Sequence, residues 1–135
     1  MDTLTPAQRR KTMTAVKSRD TSPELLVRRL LHAAGFRFRL HRKDLPGKPD
    51  VLLPRYRTVV FVHGCFWHQH PDCKGSLRPK SNTEYWDKKL TRNVERDAQT
   101  KVQLESLGWH VITVWECETR EPDVLIARLK AELRK

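Results

Sequence analysis

The chain has 135 residues, carrying 27 Lys and Arg against 16 Asp and Glu for a formal net charge of +11. That length suits one domain, expected over residues 1–135, with a core that needs no disulfides. Three cysteines cannot all pair, no apolar leader opens the sequence and no run reaches the ~20 apolar residues of a membrane helix, so the expectation is a reducing cytoplasm and no membrane partner. The basic excess is spread along the chain, which fits either a solvated surface or a polyanionic partner.

In chain order, Thr5-Pro6-Ala7-Gln8 has the form of a capping box and predicts a helix from Pro6 to about Lys17, with Arg9, Arg10 and Lys11 exposed and only Met13 and Val16 as an apolar stripe. Thr21-Ser22-Pro23-Glu24 repeats the start signal. Leu25, Leu26, Leu30, Leu31, Ala33 and Ala34 are the expected buried face of that second helix, which Gly35 stops. Phe36, Phe38 and Leu40 alternate with Arg37, Arg39 and His41, predicting a strand with one apolar and one basic face.

Pro49-Asp50-Val51-Leu52-Leu53 and Thr58-Val59-Val60-Phe61-Val62 flank a short turn and predict neighbouring antiparallel strands in the middle of a sheet. In such a hairpin the start of one strand lies beside the end of the other, so Asp50 meets His63. Ser81-Asn82-Thr83-Glu84 reads as a capping box opening a long helical region, with room for a kink, to Leu107, ended by Gly108. Trp109 to Trp115 predicts a third central strand with its two tryptophans in the core, and Pro122 to Leu133 a last helix with Val124, Leu125, Leu129 and Leu133 inward.

Residues 63 to 73 gather three histidines, two cysteines, an aspartate and two large aromatics directly after an apolar run. Cys65, His70 and Cys73, with Cys117 past the later strand, supply three thiolates and an imidazole for a tetrahedral zinc ion. Cys-x2-His spacing also permits His68 in place of His70, and the residues alone leave both open. Asp50 is a hard, anionic donor suited to magnesium, so two metals with separate roles are expected.

Pro49-Asp50-Val51, the strand Val59 to Val62, His63-Gly64-Cys65-Phe66-Trp67-His68, Thr83-Glu84-Tyr85-Trp86, Asn93-Val94-Glu95-Arg96-Asp97, Leu107-Gly108-Trp109 and Val114-Trp115-Glu116-Cys117 occur in the order of the very-short-patch repair (Vsr) DNA mismatch endonucleases, which the chain closely resembles. The resemblance implies an α/β domain with a restriction-endonuclease-like central mixed sheet flanked by helices, related to the PD-(D/E)xK nucleases, in which histidines replace the later acid and lysine. It implies nicking 5′ of the thymine in a T:G mismatch of double-stranded DNA, the lesion left when 5-methylcytosine deaminates. By the same resemblance the protein is a monomer that associates with the nucleoid, with mismatch-repair proteins and a cognate cytosine-5 methyltransferase system as further partners.

Carried onto this chain, the resemblance makes Asp50 and the main-chain carbonyl of Val62 ligands of catalytic magnesium. His68 becomes the general base, His63 its partner, and Glu24 an organiser of the metal's waters. A histidine suits proton transfer because its ordinary pKa of ~6.5 leaves a neutral fraction at pH 7. Structural zinc falls to Cys65, His70, Cys73 and Cys117, although the loop His68-Gln69-His70-Pro71-Asp72-Cys73 is one residue longer before its cysteine than the better-known pattern. Phe66, Trp67 and Trp86 match an aromatic wedge beside the mismatch, where rings replace lost base stacking. Met13 and Val16 match an N-terminal arm, residues 1–20, across the minor groove, and Asn93 and Arg96 match further DNA contacts. Two other readings remain: a nuclease of this fold with a different target, and a catalytically silent zinc-containing DNA-binding module.

Overall fold

The computed structural model describes residues 21–40 and 42–134, so the first predicted helix, with Met13 and Val16, lies outside the described residues, as does His41. A four-stranded mixed sheet of β1 (Arg39–Leu40), β2 (Val51–Leu53), β3 (Thr58–His63) and β4 (His110–Trp115) is flanked by α1 (Ser22–Ala33), α2 (Thr83–Ser106) and α3 (Pro122–Leu133). The strands lie in sequence order, antiparallel up to β3 and parallel between β3 and β4, the long crossover through α2 making that last pairing possible. None of the described helices is long and apolar enough to cross a membrane.

Period-two alternation divides the core between the two sheet faces. Val51, Leu53, Val60, Ile112 and Val114 pack with Val27 and Leu31 of α1 and Leu125, Leu129 and Leu133 of α3. Leu52, Val59 and Phe61 point the other way, toward Leu104 of α2 and the partly buried Trp109. Because β2 and β3 are covered on both faces they read as unbroken apolar runs, as the sequence predicts.

Several elements differ from the sequence expectation. Helix α1 starts as predicted, Thr21 Oγ1 accepting from Glu24 N–H, but its phase is set by Glu24, Val27 and Leu31, which leaves Leu25 and Ala33 exposed. The i, i+4, i+8 stripe Leu125, Leu129 and Leu133 likewise leaves Val124 outside. Strand β1 has only two residues. Phe36 is buried ahead of it, but Leu40 is exposed, so the apolar face does not extend along the strand. Strand β4 is the edge of the described sheet, not a central strand. Helix α2 is continuous and opens on Asn82 at φ 53° with no side-chain cap, so the Ser81 capping box does not form.

Most of α2 is solvated: over its 24 residues only Leu90 and Leu104 are buried. It nevertheless bears closely on the turn before β2. Gly47 adopts φ +73°, and a Cβ there would collide with Thr100 Cγ2 and meet Phe61 ring carbons at 3.2 and 3.3 Å. Gly47→Ala is therefore expected to cost about 1–3 kcal/mol in denaturant melts, from strain at positive φ added to the clash. Adding Thr100→Ser, which removes Cγ2, should recover part of the loss but not the backbone share.

Candidate active site and metal cluster

The hairpin brings Asp50 to the exit of β3. Its N–H donates to Val60 O at 3.1 Å, and its Oδ2 accepts from Val62 N–H at 2.7 Å. Asp50, Val62 and His63 line a cleft of about 1230 Å³ whose wall also includes Glu24 of α1 and Arg96 and Asp97 of α2. Glu24 is only 3% exposed, and Arg28 one turn on approaches its Oε2 at 3.2 Å, compensating the buried charge. Asp50 and Glu24 thus bring hard carboxylate oxygens to the cleft, the donor type that a magnesium-type ion takes.

Beyond β3 the chain folds back, His68 N–H donating to Gly64 O at 3.1 Å. This lays the His68 ring on His63, centroids 3.8 Å apart and planes 7° from parallel. His68 Nδ1 lies 2.6 Å from Asp97 Oδ2. With the carboxylate accepting, Nδ1 carries the proton and Nε2 the lone pair. Burial pushes the His63 pKa down to about 4, helped by the neighbouring charge of His68 and opposed by Asp97, so His63 is neutral at pH 7. Donor atoms of His63, His68 and Asp97 all lie within 4.8 Å of one another, a spacing that could also suit a metal. Ligands of one ion at about 2.1 Å stand near ~3 Å apart, however, so the 2.6 Å contact and parallel rings describe a hydrogen-bonded dyad with a stacked partner.

Asp97 is the site residue that sequence reasoning missed. It shares α2 with Glu84, Asp87, Glu95 and Glu105, and residue type alone does not single it out. Two signals are available: it closes the block Asn93-Val94-Glu95-Arg96-Asp97, and it lies one helical turn from Asn93, whose Nδ2 donates to Trp67 O at 3.1 Å and marks the face turned to the loop.

Cys65, His70, Cys73 and Cys117 form a second cluster with donor atoms within 4.8 Å of one another. Cys65 Sγ and Cys117 Sγ lie 3.8 and 3.4 Å from His70 Nδ1. Around a tetrahedral ion with bonds of 2.0–2.3 Å, neighbouring donors are ~3.5–3.8 Å apart, so the set fits a four-coordinate metal. The imidazole among the thiols is His70; His68 is turned to Asp97. Burial raises the Cys65 pKa to about 11, whereas the Gly75 backbone N–H lowers that of Cys73. Cys65 would become a thiolate here through the charge of a bound cation.

Gln69, at φ 50°, stitches the loop together: its Nε2 donates to Phe66 O at 2.7 Å and Ser76 O at 3.1 Å. Its Oε1 accepts from Arg78, which pairs with Asp87 of α2 at 2.7 Å. Above the loop, Phe66 and Trp67 meet Trp86 at centroid distances of 5.4 and 6.0 Å. Trp67 is 38% exposed and Tyr85, which packs edge-on against Trp86, is 56% exposed, so the cluster presents aromatic faces to solvent. Lys89 lies 5.4 Å over Trp67. Trp109 packs on the core as expected, but Trp115 does not: it stacks on His70 and meets His63 edge-on.

Cys117 sits 47 positions from His70, so a metal bound here ties the loop to the end of β4. Cys117→Ser is expected to lower metal affinity by more than ~100-fold and to depress the melting temperature. Chelator should lower the wild-type melting temperature toward that of the variant; a chelator-insensitive wild type would contradict the cluster.

The family described as DNA mismatch endonuclease Vsr matches residues 1–75. The chain is 50% identical over 129 residues to "Type II nicking enzyme V.XorIIP" of Xanthomonas oryzae pv. oryzae, covering 96% of this chain and 94% of that protein. It is 45% identical over 134 residues to "Type II nicking enzyme V.NmeAIP" of Neisseria meningitidis, covering 99% and 95%. With "DNA mismatch endonuclease Vsr" of Escherichia coli K12 it shares 45% identity over 114 residues, 84% of this chain and 72% of that protein. A family match over more than half of its residues, joined to relatives this similar along most of its length, makes the chain a member of the Vsr DNA mismatch endonuclease family.

Proposed function

We propose that this protein is a magnesium-dependent DNA endonuclease that nicks one strand of a duplex, immediately 5′ of the thymine in a T:G mismatch, and so opens repair of deaminated 5-methylcytosine. The observation that carries this reading is the His68–Asp97 hydrogen bond, 2.6 Å, in the same cleft as an Asp50 carboxylate fixed to the backbone of β3. Relatives named as a mismatch endonuclease and as nicking enzymes supply the reaction class. The hairpin-borne Asp50 supports a restriction-endonuclease-like fold related to the PD-(D/E)xK nucleases. Residues 1–135 are read as one domain acting as a monomer in the cytoplasm on nucleoid DNA, alongside mismatch-repair proteins and a cognate cytosine-5 methyltransferase system.

Asp50 and the Val62 carbonyl would hold magnesium, which supplies neutralisation of the scissile phosphate and stabilisation of the leaving oxygen. His68 Nε2 takes a proton from the attacking water, and Asp97 stabilises the imidazolium that forms. His63, kept neutral by burial, supports the His68 ring by stacking, and Glu24 orders water near Asp50. Water oxygen bonds to phosphorus as the phosphorus–O3′ bond breaks and the departing O3′ takes a proton from solvent water, leaving a 5′-phosphate on the thymidine and a 3′-hydroxyl on its neighbour.

Selectivity is assigned to Phe66, Trp67 and Trp86, whose rings replace stacking at a wobble pair that is cheaper to open than a sound one. Asn93 holds the Trp67 carbonyl, Arg96 at the cleft wall meets phosphate, and Met13 and Val16 of the N-terminal arm reach the opposite groove. The Cys65, His70, Cys73 and Cys117 set is assigned to structural zinc, the borderline-soft ion that thiolate and imidazole ligands favour.

With magnesium and a duplex holding one T:G pair, nicking is expected only on the T-bearing strand, 5′ of that T. Asp50→Ala and His68→Ala should each cut the single-turnover rate by ~100- to 10,000-fold with DNA affinity within about threefold. Trp67→Ala should reduce both cleavage and mismatch preference. Equal cutting of T:G and C:G duplexes across several flanking sequences would point instead to a general nuclease.

A further inference from the structure

Trp115 closes β4 directly opposite His63 in the parallel register. Neither hydrophobic core cluster of the described residues includes it, so filling the core does not account for its ring. One face stacks on His70, centroids 4.3 Å apart and planes 14° from parallel. Its edge meets His63 at 5.4 Å and 75°. His63 stacks on His68 at 3.8 Å, and His68 ends on Asp97 at 2.6 Å. Four rings therefore run in unbroken contact from the Cys/His cluster to the dyad.

The strand end that bears Trp115 is itself held. Its N–H donates to Glu118 Oε1 at 3.0 Å, and Arg128 of α3 pairs with Glu118 Oε2 at 2.7 Å while donating to Thr113 O at 2.9 Å. These contacts hold the backbone that carries Trp115, and its ring lies flat against that of His70. A cation bound by His70 Nδ1 fixes that ring, and contact with Trp115 then limits how far His63, and through it His68, can tilt.

We propose that Trp115 is a positioning residue that transmits the order of the Cys/His cluster to the His63–His68 pair, making the cluster a determinant of catalytic geometry as well as of loop stability. In its kinetic consequence this inference rests on the nicking reaction proposed above. Its structural consequence does not.

The test uses the full chain as wild type, Trp115→Phe and Trp115→Leu. Trp115→Leu keeps an apolar side chain but no flat ring. It should lower kcat for T:G nicking by ~10- to 100-fold, with KM and metal content within about twofold of wild type, and Trp115→Phe should restore kcat to within about threefold. An unchanged kcat in Trp115→Leu would overturn the proposal. So would loss of metal or DNA binding in step with kcat, or failure of Trp115→Phe to rescue, because each describes a merely structural tryptophan. Independently of nicking, replacing bound zinc with cadmium should shift the ring NMR resonances of His63 and His68 but not those of exposed His32 and His110. That response should persist in Trp115→Phe and vanish at His68 in Trp115→Leu. Unmoved His63 and His68 resonances in the wild type would overturn the proposal even with normal nicking, whereas a wild type that does not nick but gives these shifts would reject only the reaction.

Discussion

The hydrogen bond from Val62 N–H to the Asp50 carboxylate, 2.7 Å long, is the contact on which the site depends. It joins the residue just before β2 to the penultimate residue of β3, and it forms only in the register that pairs Val51 with Val60. A slip of one residue would turn every side chain of the hairpin to the other face and carry Asp50 away from His63. Burial enforces the register from both sides, because Val51, Leu53 and Val60 fill one core and Leu52, Val59 and Phe61 the other. The geometry of the cleft is thus stabilised by apolar packing, which reaches the site through Phe61, whose ring lies 5.7 Å from that of His63.

The segment after β3 has little regular structure to hold it. From Gly64 to Asn82 the only repetitive element is one short 3-10 turn, Lys74–Ser76. Order comes instead from the Cys/His cluster at one side and the Gln69–Arg78–Asp87 chain at the other. Between these two supports the segment delivers His68 to Asp97 and the Phe66 and Trp67 rings to Trp86. The strand, the loop and α2 each contribute a member of the same constellation, so no element alone contains the site. The electrostatics divide labour in the same way: burial keeps His63 neutral, while His68, one ring further out, has its Nδ1 hydrogen-bonded to the Asp97 carboxylate.

Those parts of the molecule governed by local chemistry are legible in the sequence. The Thr21 cap, the hairpin with Asp50 beside His63, and the gathering of Cys65, Cys73 and Cys117 with a loop histidine come from residue type and spacing, whereas the choice of His70 over His68 needed the family resemblance. Features that depend on three-dimensional context are harder to read. Helical phase in α1 is set by which face meets the sheet, and a run rich in leucine offers several choices, so the sequence favours Leu25 where the fold buries Val27. The edge position of β4 and the contacts of Asp97 and Trp115 arise from a crossover that no local pattern encodes. An acid on a polar helix looks like any other until the loop it faces is known.

In the proposed mechanism, His68 acts as a base only because Asp97 fixes its tautomer and stabilises its cation. The single-turnover nicking rate of Asp97→Asn on a T:G duplex with saturating magnesium measures this directly. A fall of ~100-fold or more is expected, with DNA affinity and metal content unchanged, since the amide preserves shape while removing the charge. A rate within about threefold of wild type would contradict that claim and move the proton-transfer chemistry elsewhere in the cleft.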